Sequence, residues 1–130
     1  MIVDSSAILA ILLGEPEAGQ FTDAILSAPC RMAAPTWFEI AMNVDKLNLP
    51  EASQRFDDLI AAAGITIMNF SPEHAQAARL AWRRYGRGRH PAKLNFGDCM
   101  VYAVAKVEHE PLLFKGDDFS QTDVEPALKD

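Results

Sequence analysis

The chain has 130 residues, 49% hydrophobic and 23% charged, an ordinary globular composition that predicts a single domain over residues 1–130, with a core that needs no disulfide or structural metal. Its two cysteines, Cys30 and Cys99, follow no metal-ligand spacing and no secretory leader pattern opens the sequence, so a reducing, cytoplasmic setting is expected. A net charge of −6 argues against a polyanionic partner, and the longest uncharged apolar run, residues 7–13, is far short of the ~20 residues that cross a bilayer, which excludes membrane insertion.

Met1-Ile-Val-Asp4 reads as a short buried strand, after which Ser5 or Ser6 is expected to cap a helix through residues 7–13. Gly14 stops that helix, Pro16 suits a first helical position, and Phe21, Ile25 and Leu26 recur at helical spacing. Together with Leu12 and Leu13 these supply more large apolar residues than a thin sheet must bury, so part of this surface is expected to face a partner. Residues 31–34 are a weak strand candidate. Thr36-Trp-Phe-Glu39 then has the pattern of a capping box, opening a helix to about Lys46. Pro50 begins a helix that Gly64 ends, and residues 65–68 have the β-branched content of a strand. Ser71-Pro72 starts an Ala-rich helix that runs to about Tyr85. Residues 86–94 form a Gly/Arg/His/Pro loop without periodicity, Asn95 caps a helix to about Glu108, and residues 111–114 are a short apolar strand. Four strands separated by helices predict an α/β fold of three layers, α/β/α, with a central parallel sheet and helices on both faces; ligands bind at the carboxyl ends of such strands.

The distribution of charge reverses the first impression of an acidic molecule. Arg79, Arg83, Arg84, Arg87, Arg89 and Lys93 fall in one stretch that holds no Asp or Glu, so the remainder of the chain carries −12. Such a segment is either a solubilising surface or a phosphate-binding one, and beside an acidic metal site it would steer a polyanion to an edge that otherwise repels it.

Each acidic residue of interest has a local structural explanation. Asp4 can serve as a turn or cap, Asp117 and Asp118 as a polar turn, and Glu39 and Asp98 each sit three residues after a capping residue, Thr36 and Asn95. As a set they mean more, because a parallel sheet brings strand ends and the following helix starts to one edge. Two carboxylates about 4 Å apart oppose each other by ~4 kcal/mol at an effective dielectric of 20, so the cluster requires a cation or shifted pKa values. Hard oxygen donors without Cys or His favour Mg²⁺ or Mn²⁺ over Zn²⁺.

Nucleotide-loop, α/β-hydrolase and zinc-protease motifs are absent from the sequence. What is present resembles the PIN domain, and within it the VapC toxins of bacterial toxin–antitoxin pairs, over essentially the whole chain. The resemblance is carried by Met1-Ile-Val-Asp-Ser-Ser-Ala7, Glu39, Tyr85-Gly-Arg-Gly-Arg-His-Pro91, Leu94-Asn-Phe-Gly-Asp-Cys99 and Leu112-Leu-Phe-Lys-Gly-Asp-Asp-Phe119 continuing to Thr122-Asp123. It implies a Mg²⁺-dependent endoribonuclease with Asp4, Glu39, Asp98 and Asp118 as catalytic acids, and with Mn²⁺ as a possible substitute. Asp4, Asp98 and Asp118 or Asp117 would hold metal, with Ser6 and Thr122 in support. RNA would contact Arg84, Arg87, Arg89 and Lys93. The resemblance further implies a cognate VapB-like antitoxin and a homodimer or higher toxin–antitoxin assembly. The doubled Asp117-Asp118 departs from the family pattern; Phe119, expected to pack inward, and the family's acid directly before it assign the inner role to Asp118, leaving Asp117 to act through water or at a second metal.

Two other classes share parts of this pattern. A metal-dependent phosphohydrolase of small phosphate esters would use the carboxylates without needing the Arg-rich segment. A non-catalytic RNA- or partner-binding module would need lesions in the acidic set, whose members are all present.

Overall fold

A computed structural model describes residues 1–129. Four very short strands, β1 (Ile2–Val3), β2 (Arg31–Ala33), β3 (Thr66–Met68) and β4 (Leu112–Leu113), form one sheet in the order β3-β2-β1-β4, and every neighbouring pair is parallel. The crossovers are supplied by α1 (Ser5–Leu12), α2 (Ala18–Ser27), α3 (Ala34–Asp45), α4 (Pro50–Ala63), α5 (Pro72–Tyr85) and α6 (Phe96–Glu108), and a single 3₁₀ turn spans Phe119–Gln121.

The two-residue period of a strand divides the interior. Ile2, Ala33 and Leu112 face one core with Tyr85, Tyr102, Val104 and Phe119, whereas Val3, Met32 and Leu113 face the other with Ile8, Ile25, Ile40 and Phe56. Helices therefore cover both faces, α5 and α6 on one and α1 to α4 on the other, which gives the expected three layers. β1 and β4 contribute only two residues each, yet all four side chains are at most 1% exposed. At roughly 1.5–3 kcal/mol for each large apolar side chain fully removed from water, burial rather than strand length keeps these elements in register.

Three helix starts differ from the sequence expectations. The cap of α1 is Asp4 rather than Ser5 or Ser6: the Asp4 carboxylate accepts from the Ser6 backbone N–H at 3.1 Å, and Ser5 already lies inside the helix. α2 begins at Ala18 rather than at Pro16. Most consequential, Thr36 caps nothing. Pro35 is accommodated in the first turn of α3, where its missing N–H has no partner to lose, so the helix starts at Ala34 and the buried Thr36 is part of it. Glu39 therefore lies a turn further in and has no capping role. The surface expectation for the first two helices also divides: Phe21 and Ile25 are core, while Leu13 and Leu26 are more than 60% exposed.

Residues 86–94 are a built loop. Arg87 N–H donates to Leu94 O at 3.0 Å and Leu94 N–H to Tyr85 O at 3.0 Å, while Ala92 and Leu94 are fully buried. The His90 ring stands edge-on to Tyr85, 5.0 Å between centroids, and its Nδ1 accepts the Ala92 N–H. Entry to the loop depends on Gly86, because a Cβ there would come within 2.4 Å of the Trp82 carbonyl oxygen and 2.7 Å of the Trp82 ring. Gly86→Ala should therefore cost about 1–3 kcal/mol of stability and lower the melting temperature by several degrees. Thermal or urea denaturation checks this, and an unchanged midpoint would mean that the last turn of α5 yields freely.

Candidate active site

Asp4 ends β1 and is only 5% exposed. Its Oδ2 accepts the Ser6 N–H and the Ser6 hydroxyl, the latter at 2.5 Å, and Ser6 Oγ in turn accepts the Lys115 backbone N–H at 2.9 Å. Ser6 thus ties the end of β1 to the segment leaving β4. Asp4 Oδ1 accepts no hydrogen bond from the described residues, among which no buried side-chain oxygen lacks a partner, so this atom opens towards solvent. One oxygen caps the helix and the other has no partner among the described residues.

Asp98 repeats the arrangement at the start of α6. Asn95 Oδ1 accepts the Asp98 N–H at 2.9 Å and Asp98 Oδ2 accepts the Asn95 N–H at 3.1 Å, a complete capping box. Glu39 comes across from the second turn of α3, and its Oε2 sits 2.8 Å from the point where a Cβ on Gly97 would be. Only glycine at 97 leaves room for that carboxylate against the first turn of α6. The sequence offered a signal for this: a glycine inside a helix start, where no turn requires it.

Charge records which acids lie together. Burial is the main cause that pushes Asp4 up to about 6, opposed by its Ser6 hydrogen bonds and reinforced by the charges of Asp98 and Glu39. Burial also raises Asp98, partly offset by the Asn95 N–H, with Asp118 and Glu39 adding to the rise and Arg87 opposing it. Asp4, Glu39, Asp98 and Asp118 therefore share one field. Among the described residues none of the four is in an ion pair, whereas Glu15, Glu17, Glu108, Glu110, Asp123 and Glu125 all are.

Asp117 lies elsewhere, lining a cavity of about 410 Å³ with Glu17, Gln20, Lys115 and Ser120. Phe119 is buried against Phe114, 5.3 Å between ring centroids, and so fixes the path of this turn. Thr122 spends its side chain on the turn itself, donating to Phe119 O and accepting the Val124 N–H.

Among the described residues no three His, Cys, Asp or Glu side chains are close enough to form a metal cage. The donor set still suits one kind of cation. Its members are hard oxygens, two of them have their second oxygen fixed by a helix cap, and Mg²⁺ keeps several waters while taking one or two protein carboxylates. An ion that requires a closed protein cage fits poorly.

In the basic segment, Arg89 lies over the Trp82 ring at 4.2 Å, and Arg84 lies over Tyr85 at 4.8 Å and pairs with Asp123 at 3.7 Å. Lys93 is exposed at a positive φ of 54°. Arg87 is exposed and is the base whose charge reaches Asp98.

The Asp4 shift fixes a pH dependence. Its folded pKa of about 6 lies above its ordinary 3.8, so protonation favours the folded state; the contribution, about 3 kcal/mol, is complete below pH 4 and is lost as pH rises through 6. In EDTA, Asp4→Asn should melt above the parent at pH 7.5 and together with it near pH 4. Millimolar Mg²⁺ should raise the parent at pH 7.5 and leave the variant unmoved. A separation independent of pH would show that Asp4 does not titrate in this window.

Comparison with known proteins completes the description. A family model for the PIN domain matches residues 1–125. Ribonuclease VapC42 of Mycobacterium tuberculosis is 45% identical over 129 residues, covering 98% of each chain. Two solved structures share the fold: VapC20 of M. tuberculosis, a sarcin–ricin loop cleaving toxin, with a TM-score of 0.74 at 15% identity over 95% of each chain, and a chain of a toxin–antitoxin complex from Klebsiella pneumoniae, with 0.72 at 22% identity over 94% of this chain and 92% of that one. With the family model spanning the sheet and all six helices, and a VapC ribonuclease nearly half identical along its whole length, this chain belongs to the PIN-domain family, on its VapC branch.

Proposed function

We propose that the chain is an endoribonuclease, the toxin of a VapBC-type pair, that works with Mg²⁺ and accepts Mn²⁺ in its place. One observation carries the reading: four carboxylates from four separate segments share a field at the carboxyl edge of the sheet, and among the described residues none of them is in an ion pair. Bound there, a divalent ion supplies neutralisation of this charge, a more acidic water and stabilisation of the phosphoryl transition state. Asp4 and Asp98 would hold it, and Asp118 would complete the set through one of the waters such an ion keeps. Glu39, free of any capping duty, orients the attacking water and accepts its proton. Ser6 keeps the Asp4 carboxylate from turning. Arg87 engages the phosphate nearest the acids, while Arg89 and Lys93 extend the contact along the strand and Arg84 shares its charge with Asp123. Asp117, on the wall of a separate cavity, contributes at most through water.

The chain acts as one domain, and its setting in this reading is the cytoplasm; among the described residues no helix is long and apolar enough to cross a membrane. A VapB-like antitoxin silences the enzyme within a dimer-based assembly, as the structural relationship to a toxin–antitoxin complex supports.

The deciding experiment is cleavage of RNA by the purified chain in Mg²⁺, its loss in EDTA and its recovery in Mn²⁺. Asp98→Asn, which keeps an amide oxygen for the Asn95 N–H, should lower the rate about 100-fold or more with the melting temperature unchanged or raised. Cleavage that persists in EDTA from a preparation free of contaminating nuclease sinks the mechanism.

Gly97→Ala separates function from stability in a second way. The added methyl meets the mobile end of Glu39, which can swing aside, and alanine is the better helix former by up to about 1 kcal/mol. The variant should melt at or above the parent temperature, yet lose about 100-fold in rate as the Glu39 carboxylate is displaced. Full activity would remove Glu39 from the mechanism.

A further inference from the structure

Trp82 is 44% exposed and joins neither hydrophobic core, yet its surroundings are closely fitted. One edge of the ring lies so near Gly86 that a Cβ there would come within 2.7 Å of Trp82 Cδ1 and 2.9 Å of Nε1, and the Arg89 guanidinium lies over the ring, 4.2 Å from its centroid. The backbone holds the same three residues together. Gly86 N–H donates to Trp82 O and Arg89 N–H donates to Gly86 O, both at 2.9 Å, with Gly88 at a φ of +84° making the turn between them. Among the described residues Arg89 is in no ion pair, whereas Arg84 is paired with Asp123.

We infer that Trp82 is a positioning residue for RNA, whose ring holds the Arg89 guanidinium in one place so that it meets a backbone phosphate already ordered. The inference rests on the nuclease reading above and adds to it the device that orders one of its basic contacts. A free surface arginine gives up the freedom of a long side chain when it grips a phosphate. One that already lies on an indole has lost part of that freedom beforehand, and its in-plane N–H groups still point outward for phosphate oxygens while the ring covers a face that donates nothing. A carboxylate partner would order the side chain too, but it would neutralise the charge, as Asp123 does for Arg84 at 3.7 Å. The indole orders the arginine and leaves its charge whole. Position agrees with this role. Arg87, whose charge reaches Asp98, lies two residues before Arg89 in the same turn, and residues 74–97 contain no Asp or Glu to compete with a phosphate.

The test is a double-mutant cycle on the binding of a single-stranded oligoribonucleotide to the Asp4→Asn protein, in which the strand stays intact. Arg89→Ala should weaken binding about ten-fold and lower the slope of log K against log salt by about 0.7. Trp82→Leu keeps an apolar contact with the loop but no ring face; it should weaken binding about five-fold, and should change nothing further once Arg89 is alanine. Trp82→Tyr should restore most of the binding. In the otherwise native enzyme Trp82→Leu should raise KM about five-fold with kcat and melting temperature unchanged. A second measurement leaves Trp82 in place: the chain has two tryptophans, so in a Trp37→Phe background the emission of Trp82 reports the stack. RNA should shift that emission in the presence of Arg89 and not in the Arg89→Ala protein. The inference is overturned if Trp82→Leu binds RNA as the parent does. It is equally overturned if the two substitutions add, or if RNA shifts the emission without Arg89, because the ring would then meet a base itself. Should Trp82→Leu melt at a lower temperature, the emission measurement decides alone. A protein that neither binds nor cleaves RNA in Mg²⁺ would remove the nuclease reading, an outcome distinct from RNA bound and cleaved with no dependence on Trp82.

Discussion

Like-charge repulsion at the carboxyl edge of the sheet is the constraint to which the rest of the molecule answers. A parallel sheet aims every strand end and every following helix start the same way, and this chain places Asp4, Asp98 and Asp118 at such points and Glu39 in the second turn of α3. Burial makes the arrangement more costly: Asp4, 5% exposed, would rather carry a proton than a charge up to about pH 6. Two of the four acids reduce that cost by capping a helix, which lends each of them one or two backbone or hydroxyl donors. The caps do not cancel the field. They fix one oxygen of each carboxylate and leave the other without a hydrogen bond from the described residues.

The opposite edge of the sheet shows the same chemistry resolved within the protein. There the N-terminal amine pairs with Glu110 at 3.0 Å and also donates to Pro29 O, while Arg31 bridges Glu108 and Glu110 and His74 Nε2 approaches Glu108 at 3.4 Å. Glu108 and Glu110 are accordingly held below the usual carboxylate range by these partners, which outweigh the opposing effect of burial. The chain therefore has the means to neutralise acids at a strand edge and, among the described residues, applies them to Glu108 and Glu110 but not to Asp4, Glu39, Asp98 or Asp118. Charge left over at the carboxyl end is what the proposed cation would neutralise, and the basic loop is anchored by buried Ala92 and Leu94 instead of hanging free in solvent.

Much of this was legible in the sequence. Short apolar runs ending at Asp4 and before Asp117, glycine and proline punctuation, and the Asn95–Asp98 box gave the sheet, its order of elements and a convergent acidic edge. What misled was local chemistry with two solutions. Thr36-Trp-Phe-Glu39 matches a capping box as a string, but Pro35 fits the first helical turn so well that the helix starts three residues earlier and the box is never made. Phe21 and Ile25 were indistinguishable from Leu13 and Leu26 by type and period, because which face of a helix is covered depends on what packs against it. Gly97 and Phe96 could be noticed as odd for a helix start, but their meaning requires Glu39, which lies some sixty residues away in the chain and reaches them only through the fold.

The four residues that open α6 show how tightly stability and function are interleaved in so small a domain. Asn95 and Asp98 cap the helix and together satisfy two of its first backbone donors, a contribution of about 1 kcal/mol that would be the same with any well-placed cap. Between them the chain departs from what a helix prefers: Phe96 has most of a large ring left uncovered by the rest of the chain, and Gly97 gives up the helix propensity of alanine. Neither choice helps the fold, and both act on the same few ångströms of surface, one by clearing space for the Glu39 carboxylate and the other by forming a wall of a cleft beside it. A segment selected for stability alone would keep the two polar residues and replace the two between them. The costly pair thus sits inside a complete cap, and what it shapes is the surface around the Glu39 carboxylate.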